Sequence, residues 1–225
     1  MQNNYLPGHG GFETVYADDS LLVLDKPAGL LSVPGRGDDK QDCLSSRVQQ
    51  HYPDALVVHR LDMSTSGLML MARGSVMQRA LSRLFENREV HKRYVAVVKG
   101  QMSDGTGTGD WHLIDLPIAV DWPRRPLRVI DGALGKPSQT RWRSVGLDLA
   151  ANTTRLELEP VTGRSHQLRV HLQAQGHAIV GDALYGDIYK DVPETGGRLL
   201  LHACQIGFTH PVSGQALFFE SSPPF

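Results

Sequence analysis

Residues 57–73 read VVHRLDMSTSGLMLMAR: two apolar runs enclose His59, Arg60, Asp62, Ser64, Thr65, Ser66 and Gly67. Apolar runs bounded by Ser, Thr and Gly are the pattern of two strands joined by a polar turn. The spacing predicts strands at 55–59 and 68–72 with the polar cluster between them. A loop at a strand end is where a scaffold displays reactive groups. Two readings of Asp62 therefore stand. It is half of an ion pair with His59 or Arg60, which stability alone rarely favours over apolar packing; or it is a reactive carboxylate at the mouth of a sheet.

Upstream, FETVYADDSLLVLD (12–25) predicts two short strands about the ADDS turn, and KPAGLLSVPGRGDDK a loop rich in Pro and Gly. Residues 42–52 predict a short helix capped by Asp42, with Leu44 and Val48 on one side. Downstream, Ser75 is the expected N-cap of a helix whose apolar stripe is Met77, Ala80, Leu81, Leu84 and Phe85. KRYVAVVKG alternates as a strand, and SDGTGTGD reads as a flexible connection that matches no dinucleotide or phosphate loop. From 111 onward strands are expected in WHLIDLP, PLRVID, SQTRWRSVG, TTRLELEPV, RLLLHACQIGF and QALFFE. GRSHQLRVHLQAQG predicts a helix ending at Gly176. Many strands with few helices, out of strict alternation, indicate an α+β fold with a mixed, mainly antiparallel central sheet. A loose leader over 1–11 and one domain over 12–225 are expected.

The 225 residues carry 23 Lys and Arg against 24 Asp and Glu, a formal net charge of −1. That balance argues against a protein that coats nucleic acid indiscriminately, though not against local basic surfaces. Cations do bunch, at Arg79–Arg93, at Arg124, Arg125 and Arg128, and at Arg164, His166, Arg169 and His171. Taken singly, each cluster reads as a solvated face. Two distant cysteines make a disulfide framework or zinc site unexpected, and His166 and His171, five apart, fall on different helical faces. Neither an apolar run of membrane length nor a signal peptide is visible, so the cytoplasm is the expected compartment.

Two further centres can carry chemistry. In TGRSHQLRVH (162–171), Gly163 opens a turn, helix-start N–H groups can hold an anion, and Arg164 can pair with a carboxylate from elsewhere. Tyr94 is core in the plain reading. If it faces a pocket, its ring can stack on a flat substrate and its phenol can move a proton.

HRLDMSTSG, KRYVAV, TGRSHQLRVH and RLLLHA, preceded by DKPAGLLSVPG, together resemble the RluA family of pseudouridine synthases in order and spacing. The resemblance runs from Glu13 to the C-terminus. CLSSRVQQHYP, PIAVDWPRRP and GKPSQT bring it nearest to small bacterial dual-specificity members without an added S4-type RNA-binding domain. It implies an isomerase that converts uridine to pseudouridine in a 23S ribosomal RNA stem-loop and a transfer RNA anticodon stem-loop, with no cofactor and no metal. It implies Asp62 as the essential catalyst, Arg164 as its partner, and Tyr94 as the ring stacked on the target uracil. Leu201, with Leu199, is the implied apolar wall opposite, and Arg60 fills the gap left by a flipped nucleotide. Lys26 and Pro27 are implied to brace the active-site loop, and Thr65, Ser66 and Gly67 to fix its turn. His59, Thr65, Lys92, His166 and Arg169 complete the implied RNA-contacting set, and a monomer is expected. A non-catalytic RNA-binding protein on this fold would be expected to lose Asp62, Tyr94 and Arg164; a glycoside hydrolase would need a second acid flanking Asp62.

Overall fold

The ADDS turn closes as its chemistry demands. Asp18 Oδ1 accepts the N–H groups of Ser20 and Leu21 at 2.7 and 2.8 Å, joining strand β1 (Glu13–Ala17) to β2 (Leu21–Lys26). The computed structural model describes residues 11–102, 109–186 and 197–225; most of the expected leader and of SDGTGTGD lies outside them. The chain falls into two compact units, Met1–Lys92 with His202–Pro224, and Arg93–Leu201 with Phe225.

In the first unit β2 pairs antiparallel with β4 (Ser66–Arg73). The far side of β4 is shared by β3 (Ala55–Val57), antiparallel at its end, and β11 (Leu201–Thr209), parallel at its start. β12 (Ala216–Glu220) closes against β11. Residues 66–72 of β4 are all buried, which explains an unbroken apolar run where a half-exposed strand would alternate. Helix α2 (Gly74–Glu86) lays Met77 and Leu81 on a cluster with Leu21, Val23, Leu68, Leu70 and Phe208. Its cap differs from expectation: the helix begins at Gly74 after Arg73, with no side-chain cap, and Ser75 lies inside it. Helix α1 (Leu44–Gln49) is capped by Cys43, not Asp42. Cys43 Sγ accepts from the Ser46 N–H while the Cys43 N–H donates to Ser46 Oγ, a reciprocal box. Asp42 turns instead to Arg47, at 2.6 and 2.7 Å.

In the second unit β5 (His91–Lys99), β10 (Thr153–Pro160), β9 (Gln139–Asp148) and β6 (His112–Asp115) pair antiparallel in that spatial order. β7 (Ile118–Val120) and β8 (Arg128–Ile130) form a separate ribbon. β7 was not among the expected strands. Helix α3 (Gln167–Ala174) packs Leu168 and Leu172 on Ala96, Val98, Leu156, Leu158 and Trp142. It starts late because His166 takes a left-handed φ of 58°, and Gly176 ends it at φ 83°, as predicted. Three α-helices among the described residues, with antiparallel pairing broken by the parallel junction of β4 and β11, make the fold α+β.

Candidate active site

Asp62 is half-buried in the loop between β3 and β4, and its neighbours on both sides are fastened to KPAGLLS. Leu61 exchanges hydrogen bonds with Ser32: its carbonyl accepts from Oγ at 2.7 Å and its N–H donates to Oγ at 3.1 Å. The Met63 carbonyl accepts from the Gly29 N–H at 2.8 Å and from Lys26 Nζ at 3.1 Å. Lys26 is fully buried, its ammonium also donating to the carbonyls of Pro27 and Leu30 at 2.8 Å. An ammonium taken from water is tolerable only with such partners. The Thr65 N–H closes the turn on the Asp62 carbonyl at 3.1 Å. The backbone at position 62 is thus held from four directions.

A partly buried polar chain ends at Ser66. Ser221 Oγ donates to Asp25, so it accepts from His202 Nε2 at 3.0 Å; His202 Nδ1 then accepts from Ser66 Oγ at 2.9 Å. Ser66 is therefore anchored as well as turned. His59 is a brace: its Nε2 accepts the Leu70 N–H at 2.8 Å and its ring stacks on Phe85 at 4.5 Å. Burial, helped by the Lys92 charge, pushes the His59 imidazole down to about 3. Burial lowers the Lys92 ammonium too. Arg60 is exposed and Thr65 is buried.

The second unit holds Tyr94, Arg164, His166, Arg169 and Leu201. Tyr94 is half-buried on β5 opposite Leu158, and packs on the cluster that contains Leu199 and Leu201. Arg164 is exposed in the turn before α3. Gln167 secures it: Oε1 accepts the Arg164 N–H at 3.0 Å and the Thr162 hydroxyl at 2.7 Å, while Nε2 donates to Gln139 O and Thr140 Oγ1. His166 Nδ1 meets the Tyr185 hydroxyl at 2.8 Å, and His171 meets Thr140 Oγ1 and the Leu116 carbonyl, both at 2.9 Å. Arg169 departs from expectation. Its side chain is 5% exposed and grips Asp182 through two bonds of 2.7 Å, so its charge is committed inside the fold and has no surface to offer RNA.

A sequence model of the family described as RNA pseudouridylate synthase matches residues 20–174. The Escherichia coli K12 protein named dual-specificity RNA pseudouridine synthase RluA is 43% identical over 225 residues, covering 100% of this chain and 99% of its own. A protein of the same name from Vibrio vulnificus is 47% identical over 204 residues, 89% of this chain and 79% of its own. The chain belongs to the RNA pseudouridylate synthase family. The solved structure of human RNA pseudouridylate synthase domain containing 1 superposes with a TM-score of 0.76 at 28% identity, over 96% of this chain and 84% of that one.

As a pseudouridine synthase of the RluA family, the protein isomerises uridine within RNA. The C1′–N1 bond is broken, a C1′–C5 bond forms, C5 gives up a proton and N1 gains one, so the base must turn in place. Such a reaction needs a rigidly presented catalytic group more than many of them. Ser32, Gln167 and the Asp25–Ser221–His202–Ser66 chain were missed at the level of sequence. Their partners lie far along the chain, as with Ser66 and His202, and isolated hydroxyls carry no periodic signal.

Proposed function

We propose that Asp62 is the catalytic carboxylate and that the substrates are stem-loops of 23S ribosomal RNA and transfer RNA. The observation that carries this reading is the fastening of Leu61 and Met63 on either side of Asp62, a half-buried acid on an over-determined backbone. A carboxylate so held has the chemistry to attack the sugar, to add to the base or to remove a sugar proton. The dual-specificity names of the relatives support the choice of RNAs. The target nucleotide leaves the stack to reach the site, at a cost of a few kcal/mol, and the exposed guanidinium of Arg60 fills the gap. Tyr94 and Leu201, two members of one apolar cluster, receive the uracil, and Arg164 supplies the guanidinium of the reaction. Chemical mapping of pseudouridine in ribosomal and transfer RNA, from cells with and without the gene, tests the substrates. One site in each RNA class is expected to vanish with the gene; loss from one class alone would remove dual specificity.

A further inference from the structure

Of the three tryptophans, Trp142 is buried and Trp111 lies under the guanidiniums of Arg93, Arg141 and Arg143, whereas Trp122 is 64% exposed. It stands at the tip of the β7–β8 ribbon, in DWPRRP, where residues 122–126 are all exposed. One exposed apolar side chain is ordinary by itself; what sets Trp122 apart is the company of cations on a closed turn. The tip is nonetheless built. The Asp121 N–H donates to the Leu127 carbonyl at 3.1 Å, and the Leu127 N–H to the Arg124 carbonyl at 3.0 Å. Asp121 holds Arg124 by its backbone N–H at 3.2 Å and its Nε at 2.7 Å. The Arg125 guanidinium lies over the indole, 4.0 Å from its centroid. The tip carries three guanidiniums, of Arg124, Arg125 and Arg128, against the one carboxylate of Asp121. The Arg124 side chain remains 71% exposed although paired.

This tip is also tied to the turn that carries Arg164. The Arg128 N–H donates to the Tyr185 hydroxyl at 2.9 Å, and that hydroxyl meets His166 Nδ1 at 2.8 Å, two residues from Arg164. Tyr185 is itself held by Asp182, through its backbone N–H at 3.1 Å, and by the Arg169 guanidinium over its ring. One buried phenol thus fixes the ribbon to the start of α3.

We propose that the Trp122–Arg125 plate is a second RNA site, which stacks an unpaired nucleotide of the stem-loop other than the target uridine. An indole already faced by a guanidinium offers a flat ring to a base, with cations beside it for the adjoining phosphates. The net positive charge of the tip selects a polyanion, and the ring selects a base free of a helix, so a stem-loop fits better than a duplex. This inference rests on the RNA reading above and adds to it a determinant of which loops are accepted.

The test uses the full chain with a synthetic RNA stem-loop and a fully paired duplex of equal length. Wild-type turnover is measured first, so that failure to form pseudouridine is recognised as failure of the enzymatic reading. Trp122→Ala is expected to raise KM for the stem-loop by about fivefold or more, the loss of one stacked base, with the effect on KM and not on kcat. Trp122→Phe should recover most of it. Stem-loop binding should quench the wild-type tryptophan fluorescence, and the quench should disappear in Trp122→Ala. Duplex binding should be the same in both. An unchanged KM with the quench intact in Trp122→Ala overturns the proposal, as does an equal loss of stem-loop and duplex binding.

Discussion

The guanidinium of Arg169 and the carboxylate of Asp182 meet in a site where their side chains are 5% and 0% exposed. Removing one member of such a pair strands the other, which costs about 3–5 kcal/mol. Arg169→Ala is therefore expected to lower the denaturation midpoint sharply, while the protein that remains folded keeps its affinity for RNA; a stable variant with weakened RNA binding would restore Arg169 to the interface. His59 makes a different demand. Its pKa falls from 6.5 to about 3 on folding, so between these values the unfolded chain binds a proton that the folded chain does not. Stability is then complete above pH 6.5 and declines as the pH falls through that window, by at most about 1.4 kcal/mol per pH unit for this residue. His171, also lowered by burial, acts with the same sign. The lowered carboxyls of Asp18, Asp42 and Asp131 lose their contribution only at more acid pH, below their ordinary 3.8. His59→Gln, which keeps an acceptor for the Leu70 N–H, should flatten the decline in denaturant midpoint between about pH 6.5 and pH 4.5.

At the scale of elements, the junction of β4 with β11 decides how the loop is presented. Their parallel register sets His202 beside Ser66 and Ala203 beside Gly67. Gly67 has φ +111°, and a Cβ there would stand 2.3 Å from the Ala203 carbonyl oxygen. Backbone cannot yield to that extent. Gly67→Ala should destabilise by at least about 2 kcal/mol and depress turnover in the protein that still folds, as thermal melts and initial rates would show. The sequence signalled a turn at TSG, but not that its glycine serves close approach of two strands, because the approaching strand lies well over a hundred residues away. The same limit explains the caps. Asp42 and Ser75 are good cap residues by type, yet Arg47 captures the first and the backbone enters α2 one residue before the second. α3 was legible in its end, since Gly176 carries the required positive φ, and not in its start, where His166 adopts that conformation without being glycine.

For the molecule as a whole, a net charge of −1 fits an enzyme that meets RNA through local basic surfaces. The motif order made the family and the α+β class readable; β1, β6, β8, β10 and β12 fall within the expected stretches, and β2, β5, β9 and α2 overrun theirs by one or two residues. What periodicity could not show was the support: a buried lysine on three carbonyls, Ser32 bonded both ways to Leu61, and a histidine relay under Ser66. These depend on contacts between distant segments, and only the strand ladder brings them together. All of them converge on the loop of Asp62, so the most direct measurement is release of tritium from RNA labelled at C5 of uridine, the atom that loses its hydrogen when the new glycosidic bond forms. Wild-type protein should release one equivalent per site modified. Asp62→Asn should release it slower by roughly a thousandfold or more while binding the same RNA, and release at the wild-type rate would contradict the account.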